Sequence, residues 1–319
     1  MLQHKEQRIR TAKQTATAED DVDAAWTYLH DHFDAHSSTN SIDIKALRRK
    51  IDYHIVPLMF ACYTMQFLDK VILNYSAVMG IQKDLRLSGN DFSNIATFLF
   101  VGLLCFEVPN IYMLQMIPAA KWLGVNVVLW GVATACGAAA TDYRTLLVSR
   151  IFLGVFEATI GPSLLLISSQ WYSKSEQAPR FSFWYCGLGS GQILGGAISY
   201  GFQHVAPGSS GLAGWRIMFL VLGCATVAIG IATLLFIPDT PMQARWLSDE
   251  EKVVLLRHVS VNRTGIQSRT FRAGQIVEAL RDPQTYLMVL AVVLVSGHCP
   301  HVKRRLTADL HASYPSLVV

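Results

Sequence analysis

Arg150-Ile151-Phe152-Leu153-Gly154-Val155-Phe156-Glu157-Ala158 lies inside Leu146–Trp171, a stretch that is otherwise almost wholly apolar. At about 1.5 Å per helical residue, such a stretch spans the roughly 30 Å hydrocarbon core of a bilayer. Five further segments have the same character: Ile55–Gly80, Phe92–Met116, Trp122–Thr141, Phe181–Gln203 and Trp215–Ile237. A helix on the surface of a soluble protein shows polar residues along one face, whereas these segments are apolar all round. Short loops join them, so successive helices are antiparallel neighbours. The expected fold is an all-α membrane protein built on a six-helix bundle, residues 51–237.

Composition agrees. Of 319 residues, 51% are hydrophobic and 16% charged, against roughly 25% charged in an average soluble domain. The charges gather in residues 1–50 and 238–283, and the net charge of +4 carries no signal for nucleic acid. Met1–Lys50 is polar throughout, with a possible short amphipathic helix from Asp20 to Trp26, and reads as a cytoplasmic tail without a signal peptide. Lys45, Arg48, Arg49 and Lys50 before the first span put the N-terminus in the cytoplasm. Lys121, Lys174, Arg180 and the basic residues from Arg245 to Arg281 fall on the same side. Lys83, Arg86, Arg144 and Arg216 fall on the other, so the asymmetry is imperfect.

The central loop, residues 238–283, contains Ser248-Asp249-Glu250-Glu251, a capping box at the start of a helix. Asp282-Pro283 then opens a partial seventh apolar segment, residues 284–297. His298-Cys299-Pro300-His301-Val302-Lys303-Arg304-Arg305 is too polar to finish it, and residues 298–319 form an atypical polar tail. The chain is therefore expected to be a fragment, or the product of a misassigned gene boundary, beyond about Gly297. Its six cysteines have no metal-site or redox spacing, and are expected to be small buried side chains. Asn74-Tyr75-Ser76 and Asn262-Arg263-Thr264 fit the glycosylation pattern, but the first would be buried and the second cytoplasmic, so neither is expected to be used. Neither a nucleotide-binding loop nor a hydrolase motif occurs, and no enzyme activity, cofactor or metal is expected.

Charge at bilayer depth is the informative feature. Asp69 and Lys70 lie inside the first span, Glu107 in the second, Arg150 and Glu157 in the fourth. Each costs about 2.5–3.5 kcal/mol at the centre of a membrane helix, so Asp69, Lys70, Arg150 and Glu157 left bare would cost on the order of 10 kcal/mol together. Pairing across an internal cavity removes most of that cost. Arg150, Gly154, Glu157 and Gly161 recur at i, i+4, i+7 and i+11 and share one helix face. That face reads as a proton- and substrate-handling site or, more blandly, as an interhelical ion pair. Gly187, Gly191, Gly195 and Ser199 form a small-residue ridge for close helix packing. Gln192 beside it points at a solute or bonds a neighbouring helix. Glu107-Val108-Pro109-Asn110 reads equally as a gate or as a Pro-kinked helix end.

The chain also resembles the major facilitator superfamily, and within it the anion:cation symporter family of fungal allantoate-permease-like carriers. The resemblance rests on Phe67-Leu68-Asp69-Lys70 with Asn74, and on Glu107-Val108-Pro109-Asn110 with Pro118 and Trp122-Leu123-Gly124. It continues through Arg150–Ala158, Gln170-Trp171-Tyr172 with Glu176 and Arg180, Gly214-Trp215-Arg216 and Pro238-Asp239-Thr240-Pro241. It implies twelve helices in two halves, each half an inverted pair of three-helix repeats. This chain would be the N-terminal half, and its partner the missing C-terminal six-helix half.

By that resemblance the function is proton-coupled symport of a small organic anion or nitrogenous nutrient, with the plasma membrane as the usual address. Asp69 and Glu157 would take up protons, and Lys70, Arg150 and Gln192 would meet the substrate. Asn74, Glu107, Asn110 and Arg180 would serve gating. Lys70 departs from the arginine of many relatives, exchanging a bidentate fork for a point charge. The alternative is a truncated membrane protein that does not transport.

Overall fold

The computed structural model describes residues 43–203, 213–260 and 281–294. Among these, five helices are long and apolar enough to cross a membrane: Ile44–Val78, Asp91–Met116, Ala119–Gly137, Tyr143–Trp171 and Gly214–Phe236. In chain order the helices are α1 (Ile44–Val78), α2 (Ile81–Asp84), α3 (Asp91–Met116), α4 (Ala119–Gly137), α5 (Tyr143–Glu157) and α6 (Ile160–Trp171). They continue with α7 (Lys174–Tyr185), α8 (Gly187–Gln203), α9 (Gly214–Phe236) and α10 (Asp249–Ser260). The end of the bundle that holds Ile44 is called the near end below. The end that holds the α1–α3 and α4–α5 connections is the far end.

Three boundaries differ from the sequence expectation. α1 begins at Ile44, not Ile55, because Asp43 caps it through the Lys45 N–H and because Leu47 and Ile51 already bury an apolar face. The fourth span is broken after Glu157. Pro162 has no N–H to offer the carbonyl of Ala158, four residues back, so the ladder lapses for one turn and restarts as α6. The fifth span is likewise divided, at Cys186, and α8 has 17 residues. The expected capping box is present: Glu251 N–H donates to Ser248 Oγ at 3.2 Å, and Ser248 N–H to Glu251 Oε2 at 2.9 Å.

Packing has an internal symmetry. α3 lies on α5, and α8 on α1; α4 contacts α5, and α9 contacts α1; α4 and α9 pack on each other most extensively. Exchanging α1, α3 and α4 with α5–α6, α8 and α9 maps this pattern onto itself, as an inverted pair of three-helix repeats requires. The seams are made by glycine. A methyl on Gly154 would lie 2.1 Å from the Leu99 carbonyl oxygen, and one on Gly102 would lie 2.8 Å from that of Ile151. On the symmetry-related seam Gly187 and Gly191 meet Thr64, and Gly195 meets Tyr75, so the small-residue ridge of α8 is a packing surface against α1. Between α4 and α9 the backbones touch at Gly131 with Val227 and at Gly223 with Ala135.

The cysteines correct an expectation. Cys62 is buried, but Cys105, Cys136, Cys186 and Cys224 are exposed. Helices that face lipid have no reason to hide apolar side chains, so an apolar residue is a poor guide to burial there. Pro283–Leu294 is a short apolar helix, described by itself, whose first turn is capped by Asp282 through the Gln284 N–H. The possible helix at Asp20, the second glycosylation pattern and the polar tail 298–319 lie outside the described residues.

Candidate functional site

The four mid-span charges come together where α1 crosses α5. Lys70 Nζ lies 3.0 Å from Glu157 Oε1. Glu157 is fully buried, whereas the Lys70 side chain is 33% exposed, so the pair joins the interior to an open face. Two turns away on α5, Arg150 is 1% exposed and stacks its guanidinium over the Phe219 ring at 4.8 Å. Its Nη1 donates to the backbone oxygen of Asp69 at 3.4 Å. Its Nε and Nη2 have no hydrogen-bond partner among the described residues, nor has Asp69 Oδ1.

Asp69 Oδ2 is held from α4. Trp130 Nε1–H donates to it, and so does Thr134 Oγ1–H at 2.7 Å. Trp130 and Thr134 are four residues apart and present both donors from one helix face. Sequence reasoning missed them, since a tryptophan and a threonine in an apolar span are ordinary. The available signal was two hydrogen-bond donors at helical spacing opposite a span carrying a carboxylate. Asp69 and Arg150 are thus enclosed rather than open to a cavity, and Lys70 alone of the four reaches outward.

The remaining candidates disperse. Asn74 is exposed one helical turn beyond Lys70, and Gln192 is exposed on α8. Glu107 is half-buried on α3, which runs through Pro109 as one helix. Asn110 is buried and donates to the Val155 carbonyl at 3.4 Å, which ties α3 to α5. Arg180 makes a two-pronged ion pair with Asp52, at 3.1 and 2.7 Å, and lies over the Tyr172 ring. The Asp52 carboxylate keeps the Arg180 guanidinium above its usual pKa.

A charge network that sequence reasoning did not assemble surrounds Arg180 at the near end. Glu176 pairs with Arg48 of α1 and, at 3.0 Å, with His258 of α10. Burial pushes the Glu176 carboxyl up, but His258 and Ser173 hydrogen bonds outweigh it and leave the group below the usual range. Lys50 pairs with Glu251 at 2.7 Å and Lys121 with Asp239 at 2.7 Å. Trp246 is stacked between His54 and Trp171, with ring centroids 4.4 and 5.7 Å away. The segment after α9 is therefore fastened to the near ends of α1, α4, α6 and α7.

Chemically, the quartet sets one ion pair, Lys70 with Glu157, between the enclosed Asp69 and Arg150 and the open face. Protonation of Glu157 removes the partner of Lys70, whose ammonium already reaches the open face.

Residues 59–299 match the sequence profile described as Major Facilitator Superfamily. A thiamine pathway transporter of Saccharomyces cerevisiae is 37% identical over 288 residues, which cover 85% of this chain and 54% of that protein. An allantoate permease of the same yeast is 36% identical over 252 residues, covering 78% of this chain and 46% of the permease. The chain thus spans about half the length of the curated relatives it matches. Among solved structures, a bacterial homologue of the human lysosomal transporter Spinster, inward-facing and occupied, superposes with a TM-score of 0.51 at 16% identity. The match covers 58% of this chain and 44% of that one and bears on the fold alone.

Proposed function

The chain belongs to the Major Facilitator Superfamily, and from that membership we propose that it forms the N-terminal part of a carrier coupling proton entry to uptake of a small organic anion or nitrogenous nutrient. The membrane is the plasma membrane and the near end is cytoplasmic. One observation carries the proposal: Glu157 is fully buried and its partner, the 33%-exposed Lys70, opens onto the face where Asn74 also lies. A buried carboxylate next to a movable ammonium is a proton-controlled switch for anion binding. With Glu157 charged, Lys70 is engaged by it. With Glu157 protonated, Lys70 is free for a substrate carboxylate, and the enclosed charge that opposes helix movement is gone. Asp69, held by Trp130 and Thr134, takes the second proton-accepting role, and Arg150 supplies fixed positive charge beside it. Gln192 contributes a neutral contact, while Asn110 and Arg180 couple this centre to the packing of α3 and α7; Asn74 and Glu107 complete the gating set.

The test is accumulation of labelled allantoate, the probe suggested by the related permease, in cells expressing the protein under an imposed inward proton gradient. Glu157→Gln should still equilibrate the probe but no longer concentrate it. Concentration of allantoate by the variant would rule out the proton-coupling role.

A further inference from the structure

At the far end a cavity of about 650 Å³ opens between the α2–α3 connection and the start of α5, and Asp84, Arg86, Asp142 and Arg144 line it. We propose that this cavity is a separate binding site for a small carboxylate that also carries N–H donors, captured there before it reaches the Lys70–Glu157 centre.

The argument starts from what the two carboxylates already do. Asp84 Oδ2 accepts the Trp215 indole N–H at 2.7 Å, and so pins α9 to the α2 turn. Asp142 Oδ1 accepts the Thr145 N–H at 3.0 Å and caps α5. Each carboxylate is engaged by a neutral donor of the fold. Neither is in ion-pair contact with Arg86 or Arg144 among the described residues, although Asp142 feels the nearby Arg144 charge. The basic groups of the far end are not equivalent. Arg216 is consumed, donating to the Ala138 carbonyl at 2.6 Å and lying on the Trp215 ring at 4.4 Å. Arg86 and Arg144 are not.

Arg86 is also the one non-glycine residue among those described with a positive φ, at 50°. The left-handed region disfavours an L-residue with a long side chain, and glycine or asparagine would occupy it more readily. The turn thus carries an arginine at some cost, and Arg86 and Arg144 both line the cavity. Two forks of donors match a carboxylate. The remaining lone pairs of Asp84 and Asp142 match amide or ureido N–H groups on the same solute.

The proposal rests on the carrier reading only for the use of the site, not for binding, and its test separates the two. The full chain in detergent is labelled at arginine with phenylglyoxal, with and without allantoate, and the modified peptides are quantified by mass spectrometry. Allantoate should protect Arg86 and Arg144 about three-fold or more, while uncharged allantoin protects neither and the exposed near-end Arg49 and Arg245 stay unchanged. In cells, the Arg86→Gln/Arg144→Gln double variant should raise the KM for allantoate about five-fold without lowering the maximal rate, and added salt should erase the difference. Equal labelling with and without allantoate, or equal protection by allantoin, overturns the site. Protection without any uptake upholds the site and sinks the carrier reading for this probe.

Discussion

At mid-span Arg150 is sealed from solvent with two of its guanidinium nitrogens lacking hydrogen-bond partners among the described residues, while at the near end the buried Glu176 gathers the Ser173 N–H and the part-exposed side chains of Arg48 and His258. The two clusters use the same residue types. At the near end Glu176 is given several partners, the pairs Lys50–Glu251, Lys121–Asp239 and Arg180–Asp52 stand around it, and the cluster acts as a fastener. At mid-span the charges are under-partnered: one carboxylate oxygen and two guanidinium nitrogens stay open, and a single ion pair spans the gap between interior and surface. Under-partnering costs stability, and it is what lets the arrangement change state. Full partnering locks.

The comparison can be broken most directly at Arg150. Arg150→Met should lower the stability of the purified protein by about 3–5 kcal/mol, because it strips the buried Asp69 of neighbouring positive charge. Thermal unfolding in detergent reads the loss, and an unchanged midpoint would show that the mid-span charges are not a unit. Next in size is the bond between α1 and α4. Thr134→Val removes one hydrogen bond to the buried Asp69 carboxylate, about 1.5–3 kcal/mol. Asp69→Asn in the same background should cost less than it does alone, which a double-mutant cycle measures.

The near-end pairs should respond more weakly. Asp52→Asn breaks the ion pair with Arg180, whose partners are 18% and 34% exposed, and should cost no more than about 1 kcal/mol. Repeating the measurement at high salt should shrink the difference further. The smallest effect is on acidification. Because Glu176 and Glu251 both sit below the usual carboxylate range, their contribution is complete above the ordinary value of 4.5 and fades as pH falls through their lower folded values. Amide exchange in α10 should accelerate only in that acid window, and acceleration already at pH 6 would contradict the assignment.

Much of this was legible in the residues. Apolar length gave six spans, of which five are long apolar helices among the described residues, short loops gave the antiparallel order, and Asp69, Lys70, Arg150 and Glu157 announced themselves by charge in lipid. Their pairing did not. Helical spacing placed Arg150 and Glu157 on one face, but the structure assigns Glu157 to Lys70 and leaves Arg150 on the Phe219 ring, a contact that needs α9 in place. The start of α1 was read late because Lys45, Arg48, Arg49 and Lys50 mask the buried Leu47 and Ile51 beside them. The break after Glu157 was written in Pro162, whose effect falls four residues before itself. The near-end network joins residues about 130 and 200 positions apart, such as Asp52 with Arg180 and Lys50 with Glu251, which no local pattern can expose.

The glycine contacts between α4 and α9 have a mechanical consequence. Where Gly131 meets the Val227 backbone and Gly223 meets that of Ala135, the helices approach too closely to admit a further side chain, with the Val227 Cγ2 and the Ala135 methyl already against the contact. These two helices form a keel, stiff in torsion, from which the other helices hang. Any rocking of this half must then be carried as a rigid rotation about that keel. Even an alanine at Gly131 or Gly223, remote from every charge, would jam it.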